Sequence, residues 1–341
     1  MEPAGSPIES RLNWIQHYAA TEIVELGNEG RLGRREVLRL LGSICGGAAA
    51  GAAFLAACGG DDGDPAAATK STSASDTSGE TSNTTAAPAT GTSTPAAIEP
   101  PLDGPAGHVL SVAVDDPDIR ADDVEFDGPA SAMFGYLAQP EAAGEYPGVI
   151  VIHEIFGLND HIRDVARRLA KVGFVALAPD LASRAGGTDN ADDVVGTLVG
   201  GPIEERIADL DASAAYLATV EGWSGTLGVV GFCFGGGMTL SYAGANPDVA
   251  AAVPYYGPTP DPASAMSATN AAILAHYGDL DDRVNAGIGA LESAMAGKTF
   301  EIKMWDGAGH AFNNDTGANY DETAAVEAWR LTVAWFDEHL R

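Results

Sequence analysis

Cysteine is scarce in this chain, with three in 341 residues, at Cys45, Cys58 and Cys233, too few for a disulfide framework. Basic residues are scarce too: 18 Lys plus Arg stand against 48 Asp plus Glu, a formal charge of −30. Such a surface repels nucleic acid and anionic lipid and excludes either as a general partner. The acidity fits plain solubility or a salt-rich habitat. Metal-ligand patterns are missing, because no two of His153, His161, His276 and His310 have carboxylate or thiol companions at ligand spacing on one helix. What is plentiful is small or apolar: 45% hydrophobic residues and 42 glycines, enough for a sizeable core in one large domain or two small ones.

The first third of the chain reads as targeting and tether. Gly33-Arg34-Arg35-Glu36-Val37-Leu38-Arg39 leads into residues 40–57, eighteen uncharged positions rich in Ala and Gly. A charged stretch, a short apolar run and small residues at its end are the parts of an export signal, and the paired arginines give it the look of a twin-arginine signal. Leu55-Ala56-Ala57-Cys58-Gly59 resembles a lipobox, which makes Cys58 the expected lipidation site. The competing reading, one membrane span, is weakened by the shortness of the run and by Gly42, Gly46, Gly47 and Gly51. The 33 residues before Arg34 are long for a signal: either residues 12–27 form a short helix or translation starts later. Residues 59–104 are almost wholly Gly, Asp, Ala, Thr, Ser and Pro, a composition expected to stay disordered. The expected organisation is an export signal with an N-terminal extension over 1–57, a lipidated Cys and linker over 58–104, and a catalytic domain over 105–341.

Residues 105–341 suit one α/β domain. Residues 109–114 and 132–138 alternate and read as leading strands. Residues 148–152 and 174–178 are short apolar runs of the kind buried on both faces of a sheet, and 227–232, 250–255, 272–277 and 300–305 read as further strands. Helices are expected over 160–172, with Ile162, Val165, Ala166 and Leu169 inward and Arg163, Arg167 and Arg168 opposite, then over 203–220 and 321–339. Strands alternating with helices predict a mostly parallel sheet with helices on both faces, whose chemistry lies at the carboxyl ends of the strands.

Gly231-Phe232-Cys233-Phe234-Gly235 sits where a strand turns into a helix, with the G-x-S-x-G spacing of a nucleophile elbow and cysteine in place of serine. A helix N-terminus behind a thiol favours the thiolate. A thiol nucleophile needs a base and a group to orient it, in the chain order nucleophile, acid, histidine. Downstream, Gly278-Asp279-Leu280-Asp281-Asp282 and Asp306-Gly307-Ala308-Gly309-His310 both end strands on the same rim. His310 is the expected base. Asp281 has the best spacing for the orienting acid, with Asp279 and Asp282 as solvated alternatives.

From about residue 130 onward the chain resembles the dienelactone hydrolase family of α/β-hydrolases. The resemblance rests on His153-Glu154-Ile155-Phe156-Gly157-Leu158-Asn159, Ala178-Pro179-Asp180-Leu181 with Arg184, the elbow at 231–236, Tyr255-Tyr256-Gly257 and Gly309-His310-Ala311-Phe312, all in the same order. It implies a cofactor-free hydrolase of small esters or lactones with a Cys233–His310–Asp281 triad. It also implies a thiol-activating Glu154, an oxyanion hole from the backbone N–H groups of Ile155 and Phe234, and Arg184 as the partner of a substrate carboxylate. One departure is visible: a second family arginine, four residues after the histidine, is replaced by Asn314, so a dienelactone substrate does not follow.

The resulting expectation is an exported enzyme, anchored to a membrane through lipid on Cys58 and monomeric, that acts through an acyl-thioester. The alternative is a non-catalytic surface-anchored binding protein that keeps the fold.

Overall fold

The computed structural model describes residues 12–58 and 110–341; the linker read over 59–104 lies outside these residues. Eight strands form one sheet: β1 (Ile119–Asp127), β2 (Ala132–Pro140), β3 (Tyr146–Ile152), β4 (Val175–Asp180), β5 (Trp223–Phe232), β6 (Val249–Tyr255), β7 (Ala272–Gly278) and β8 (Phe300–Trp305). Their order is β1-β2-β4-β3-β5-β6-β7-β8. β1 and β2 pair antiparallel with each other and β2 pairs antiparallel with β4, while every pairing from β4 through β8 is parallel. The interior strands β3, β4, β6 and β7 are almost wholly buried, as uninterrupted apolar runs require. The edge strands β1 and β8 alternate between covered and exposed residues and carry charge, which discourages pairing with another chain.

Helices cover both faces. They are α1 (Trp14–Asn28), α2 (Arg34–Cys45), α3 (Ala48–Cys58), α4 (Asp160–Lys171), α5 (Val194–Val199), α6 (Ile203–Leu217), α7 (Phe234–Ala245), α8 (Asp282–Asn285), α9 (Ile288–Ala294) and α10 (Glu322–Leu340). Gly228 of β5 meets Phe336 and Leu340 of α10, whereas Gly231, three residues on and therefore on the opposite face, meets Thr239 of α7.

Two expectations are corrected. The alternation at 109–114 makes no strand over its described residues. Leu110 and Val112 are buried, but the backbone of Val112 is satisfied by side chains of α4, its N–H donating to Asp164 (2.8 Å) and its carbonyl accepting from Arg167 (2.7 Å). The strand lies instead at β1, disguised by five charged residues in nine. Arg167 and Arg168 do not face solvent. Both are buried, because Asp164 and Asp315 supply the counter-charges that burial demands.

The segment before residue 58 is folded onto the same body. A capping box opens α1, with Asn13 and Gln16 exchanging side-chain and backbone bonds at 2.9 and 3.1 Å. Ile15, Tyr18, Ala19, Ile23 and Leu26 make its buried face. Gly46, in the left-handed region at φ 81°, ends α2, and α3 turns away by 110°. Among the described residues no single helix is long and apolar enough to cross a membrane, although this bent pair passes the test of length and composition.

Candidate active site

The elbow forms where the central parallel strand β5 must reverse into α7. Cys233 takes φ 56°, ψ −119°, a conformation that costs a non-glycine residue of order 1–3 kcal/mol and is held only by its surroundings. The flanking glycines make it feasible, because a Cβ on Gly231 would run into the carbonyl of Gly235 and one on Gly235 into the carbonyl of Ile152. The turn aims the thiol at the rim formed by the carboxyl ends of β3, β7 and β8.

There the other two candidates meet. His310 Nδ1 and Asp281 Oδ2 are 2.5 Å apart, which leaves Nε2 toward the thiol: Cys233 Sγ and a ring nitrogen of His310 lie within 4.8 Å. Asp281 also caps α8 by accepting from the N–H of Val284 at 3.3 Å. Burial works against the cation on His310, but the carboxylates of Glu22 and Asp281 outweigh it and hold the imidazole well above its ordinary value. Burial, then Glu22, pushes the Cys233 thiol up, opposed by His310. Two other histidines are struts. His153 accepts from Leu181 N–H (3.1 Å) and faces the carbonyl of Glu154 at 2.6 Å. His276 accepts from Trp305 and reaches Thr332, and burial drives it down to about 3.

Glu154 is buried at the end of β3, close enough for its carboxylate to add to the upward push on the thiol. Its Oε2 accepts from Asn314 Nδ2 at 2.6 Å, while Oε1 is buried without a partner. Asn314 is itself oriented by Thr316, whose N–H and hydroxyl both donate to Oδ1 (3.0 and 2.7 Å). The amide where the family arginine is missing therefore holds the glutamate. Ile155 lies in the loop after β3, next to Glu154, and Phe234 is the first residue of α7, directly after Cys233.

Arg184 is committed elsewhere. Its Nε and Nη2 donate to both oxygens of Asp209 at 2.9 Å, and Nη2 also reaches the carbonyl of Glu205. The Nε/Nη2 fork is thus filled by a buried carboxylate, while Nη1 lies 3.7 Å from Glu205 Oε2. The residue expected to meet a substrate carboxylate is thus paired with Asp209 of α6.

The sequence reading missed the residues that roof the site. Tyr18 of α1 lies with its hydroxyl 3.2 Å from Cys233 Sγ and 3.5 Å from His310 Nε2, and donates to Glu22 Oε2 at 3.4 Å. Glu22 Oε2 is itself 3.5 Å from His310 Nε2. Arg283 bonds Glu22, pairs with Glu25 at 2.8 Å and stacks its guanidinium 4.6 Å from the Tyr18 ring centre. A signal was present, because positions 18, 22 and 25 share one face of the helix expected over 12–27. Glu22, Cys233 and His310 also form a three-ligand cluster that spacing along one helix could not reveal.

Comparison with known proteins agrees with this geometry. Residues 133–340 match the Dienelactone hydrolase family. A protein of Methylorubrum extorquens named "putative carboxymethylenebutenolidase" is 34% identical over 252 residues, covering 69% of this chain and 87% of that one. A Salmonella typhimurium protein of the same name is 36% identical over 225 residues, covering 61% and 83%. Among solved structures, one described as a putative dienelactone hydrolase from Klebsiella pneumoniae is 36% identical with a TM-score of 0.59, covering 65% of this chain and 99% of that one. A Pyrococcus horikoshii acylaminoacyl peptidase, at 14% identity and a TM-score of 0.55, covering 65% of this chain and 42% of that one, shares the fold alone. The chain is a hydrolase and belongs to the dienelactone hydrolase family.

Proposed function

We propose that the protein hydrolyses small carboxylic esters or lactones with Cys233 as nucleophile. The observation that carries this is the elbow thiol beside an imidazole whose other nitrogen is 2.5 Å from the buried Asp281. In the reaction the imidazole first gives up to solvent the proton that Glu22 and Asp281 hold on it, and Cys233 Sγ then attacks the carbonyl carbon as its proton passes to His310 Nε2. The oxyanion receives hydrogen bonds from the N–H groups of Ile155 and Phe234. Collapse breaks the ester C–O bond, the leaving oxygen takes the proton from His310, and an acyl-thioester remains. Water, deprotonated by the same nitrogen, cleaves the thioester and restores the thiol. Asp281 keeps the imidazole in the tautomer that both steps need. Glu154, with one unpartnered oxygen near the thiol, favours the neutral thiol at rest, and any swing as substrate enters must break its bond from Asn314. A panel of chromogenic neutral esters and lactones, run on the full chain and on Cys233→Ala, tests the reading. Turnover that survives in Cys233→Ala overturns it.

The same proposal places the enzyme outside the cytoplasm, held to a membrane by lipid on Cys58. Its support is the exposed Arg34-Arg35 pair, the uncharged run after it and the Leu55-Ala56-Ala57-Cys58 sequence. Expressed in a bacterium with a twin-arginine pathway, the chain is expected to partition with membranes and Cys58→Ala to release it. A soluble product that retains Met1 overturns this part.

A further inference from the structure

Three polar atoms around Cys233 are buried with no partner: Glu154 Oε1, the Tyr256 hydroxyl and Arg283 Nη1. Arg283 differs from the other two because the rest of its guanidinium is fully engaged, and wholly by α1. Nη2 bonds Glu22, Nε bonds Glu25, and the plane stacks on Tyr18. The Glu22 oxygen that Arg283 holds is also the one 3.5 Å from His310 Nε2, the nitrogen that must hand a proton to the leaving group. The Tyr18 hydroxyl stands 3.2 Å from the sulfur, where a substrate carbonyl has to come. Cys233 and His310 are 3% and 7% exposed in consequence.

A carboxylate clamped by an arginine beside the thiol is the arrangement an anionic substrate would adopt. The alternative use of Glu22, Cys233 and His310, as ligands for a metal ion, is disfavoured by the same arginine, whose positive charge sits on the Glu22 carboxylate and repels a cation. We propose that α1 is an intramolecular plug of the unprocessed chain, lost with residues 1–57 once Cys58 is lipidated, that imitates an anionic substrate, and that Arg283, the seat of Glu22, anchors the carboxylate of the substrate that takes its place. This rests on Cys233 as the reacting thiol and moves the carboxylate partner expected at Arg184 to Arg283, whose Nη1 is buried without a partner.

The test reads alkylation of Cys233 in the folded full chain by peptide mass spectrometry, with neutral iodoacetamide and anionic iodoacetate at matched concentration. It reports on the plug whether or not an ester is turned over, so failure here is distinct from failure of the hydrolase reading. In the unmodified chain Cys233 is expected to react more slowly than half-buried Cys45 with both reagents. Glu22→Gln is expected to raise both rates, and iodoacetate by roughly tenfold more than iodoacetamide, the worth of one charge-assisted contact. The double variant Glu22→Gln/Arg283→Gln is expected to keep the faster iodoacetamide reaction and lose the surplus for iodoacetate. Ile23→Asp, which puts a charge into the buried face of α1, is expected to speed iodoacetamide labelling through a different residue. Cys233 reacting as fast as Cys45 in the unmodified chain overturns the plug. Equal gains for the two reagents in Glu22→Gln overturn the anchor.

Discussion

The rim of the sheet and the helix lying on it are held in different ways. Each rim residue is fixed from behind: Asp281 by the turn into α8, and the loop after His310 by Asp315, which binds Arg168 and His161 of α4. The α1 helix grips the rim from in front, through its apolar face and the contacts of Tyr18, Glu22 and Glu25. Groups fixed from behind are preorganised for chemistry, whereas groups that reach the same atoms from in front compete with substrate. Position relative to the backbone, not residue type, separates Asp281, the proposed orienting carboxylate, from Glu22, the proposed obstructing one.

The comparison breaks most simply on the sign of two substitutions. Cys233→Ala, on the rim, should lower hydrolysis by about 10⁴- to 10⁶-fold, measured as kcat/KM on a neutral chromogenic ester. Glu22→Gln, on the helix, should raise it. A loss of the same order in both would put Glu22 among the catalytic groups and erase the distinction. Next in size is Asp281→Asn, which keeps the shape but supports the wrong tautomer of His310, with an expected loss of about 10⁴-fold in kcat.

Much of the rim was legible and the seating of α1 on it was not, for physical reasons. The elbow announces itself because only glycine tolerates the close approach of Gly231 and Gly235 to neighbouring backbone. His310 and Asp281 end strands that periodicity finds. Asn314 was seen only as a missing arginine; that its amide would turn to Glu154 depends on Thr316, and no spacing rule carries that. The pairing of Arg184 was hidden because its partner, Asp209, lies 25 residues away on a helix whose packing the sequence leaves open. The Tyr18–Cys233 contact spans 215 positions and joins the elbow thiol to a segment whose composition spoke of targeting. β1 was lost because charge on an edge strand hides the alternation that a half-buried strand normally shows.

A smaller effect probes how the rim is held from behind. Asp315→Ala removes one of two carboxylates on the buried Arg168 guanidinium and the partner of His161. Breaking a buried pair costs about 3 kcal/mol, or roughly 6–12 °C in Tm for a domain of this size, by scanning calorimetry. Because Asp315 follows His310 by five residues, kcat should fall with it. An unchanged Tm would mean that Asp164 alone satisfies Arg168.

The smallest effect separates the two regions by pH. Asp315 and Asp281 are both held below the ordinary 3.8 of an aspartate; burial opposes this, and the cationic partners outweigh it. Their contribution is therefore present above that value and lost as pH falls through the lowered ones, so acid loosens the rim. His310 runs the other way. Its raised value means that the attraction to Glu22 is complete below the ordinary 6.5 and fades as pH climbs through the folded-state value. Alkali should therefore unseat α1 while the sheet stays intact. A contact of this length is worth about 1 kcal/mol, a roughly fivefold change in equilibrium, so the readout must be local. Hydrogen-exchange protection factors, corrected for intrinsic rates, should fall across 14–28 as pH rises and stay level across 322–340. Glu22→Gln should flatten the first trend. Equal loss of protection in both helices would show that α1 and the sheet open as one unit, and that the helix is as much a part of the rim as the strands beneath it.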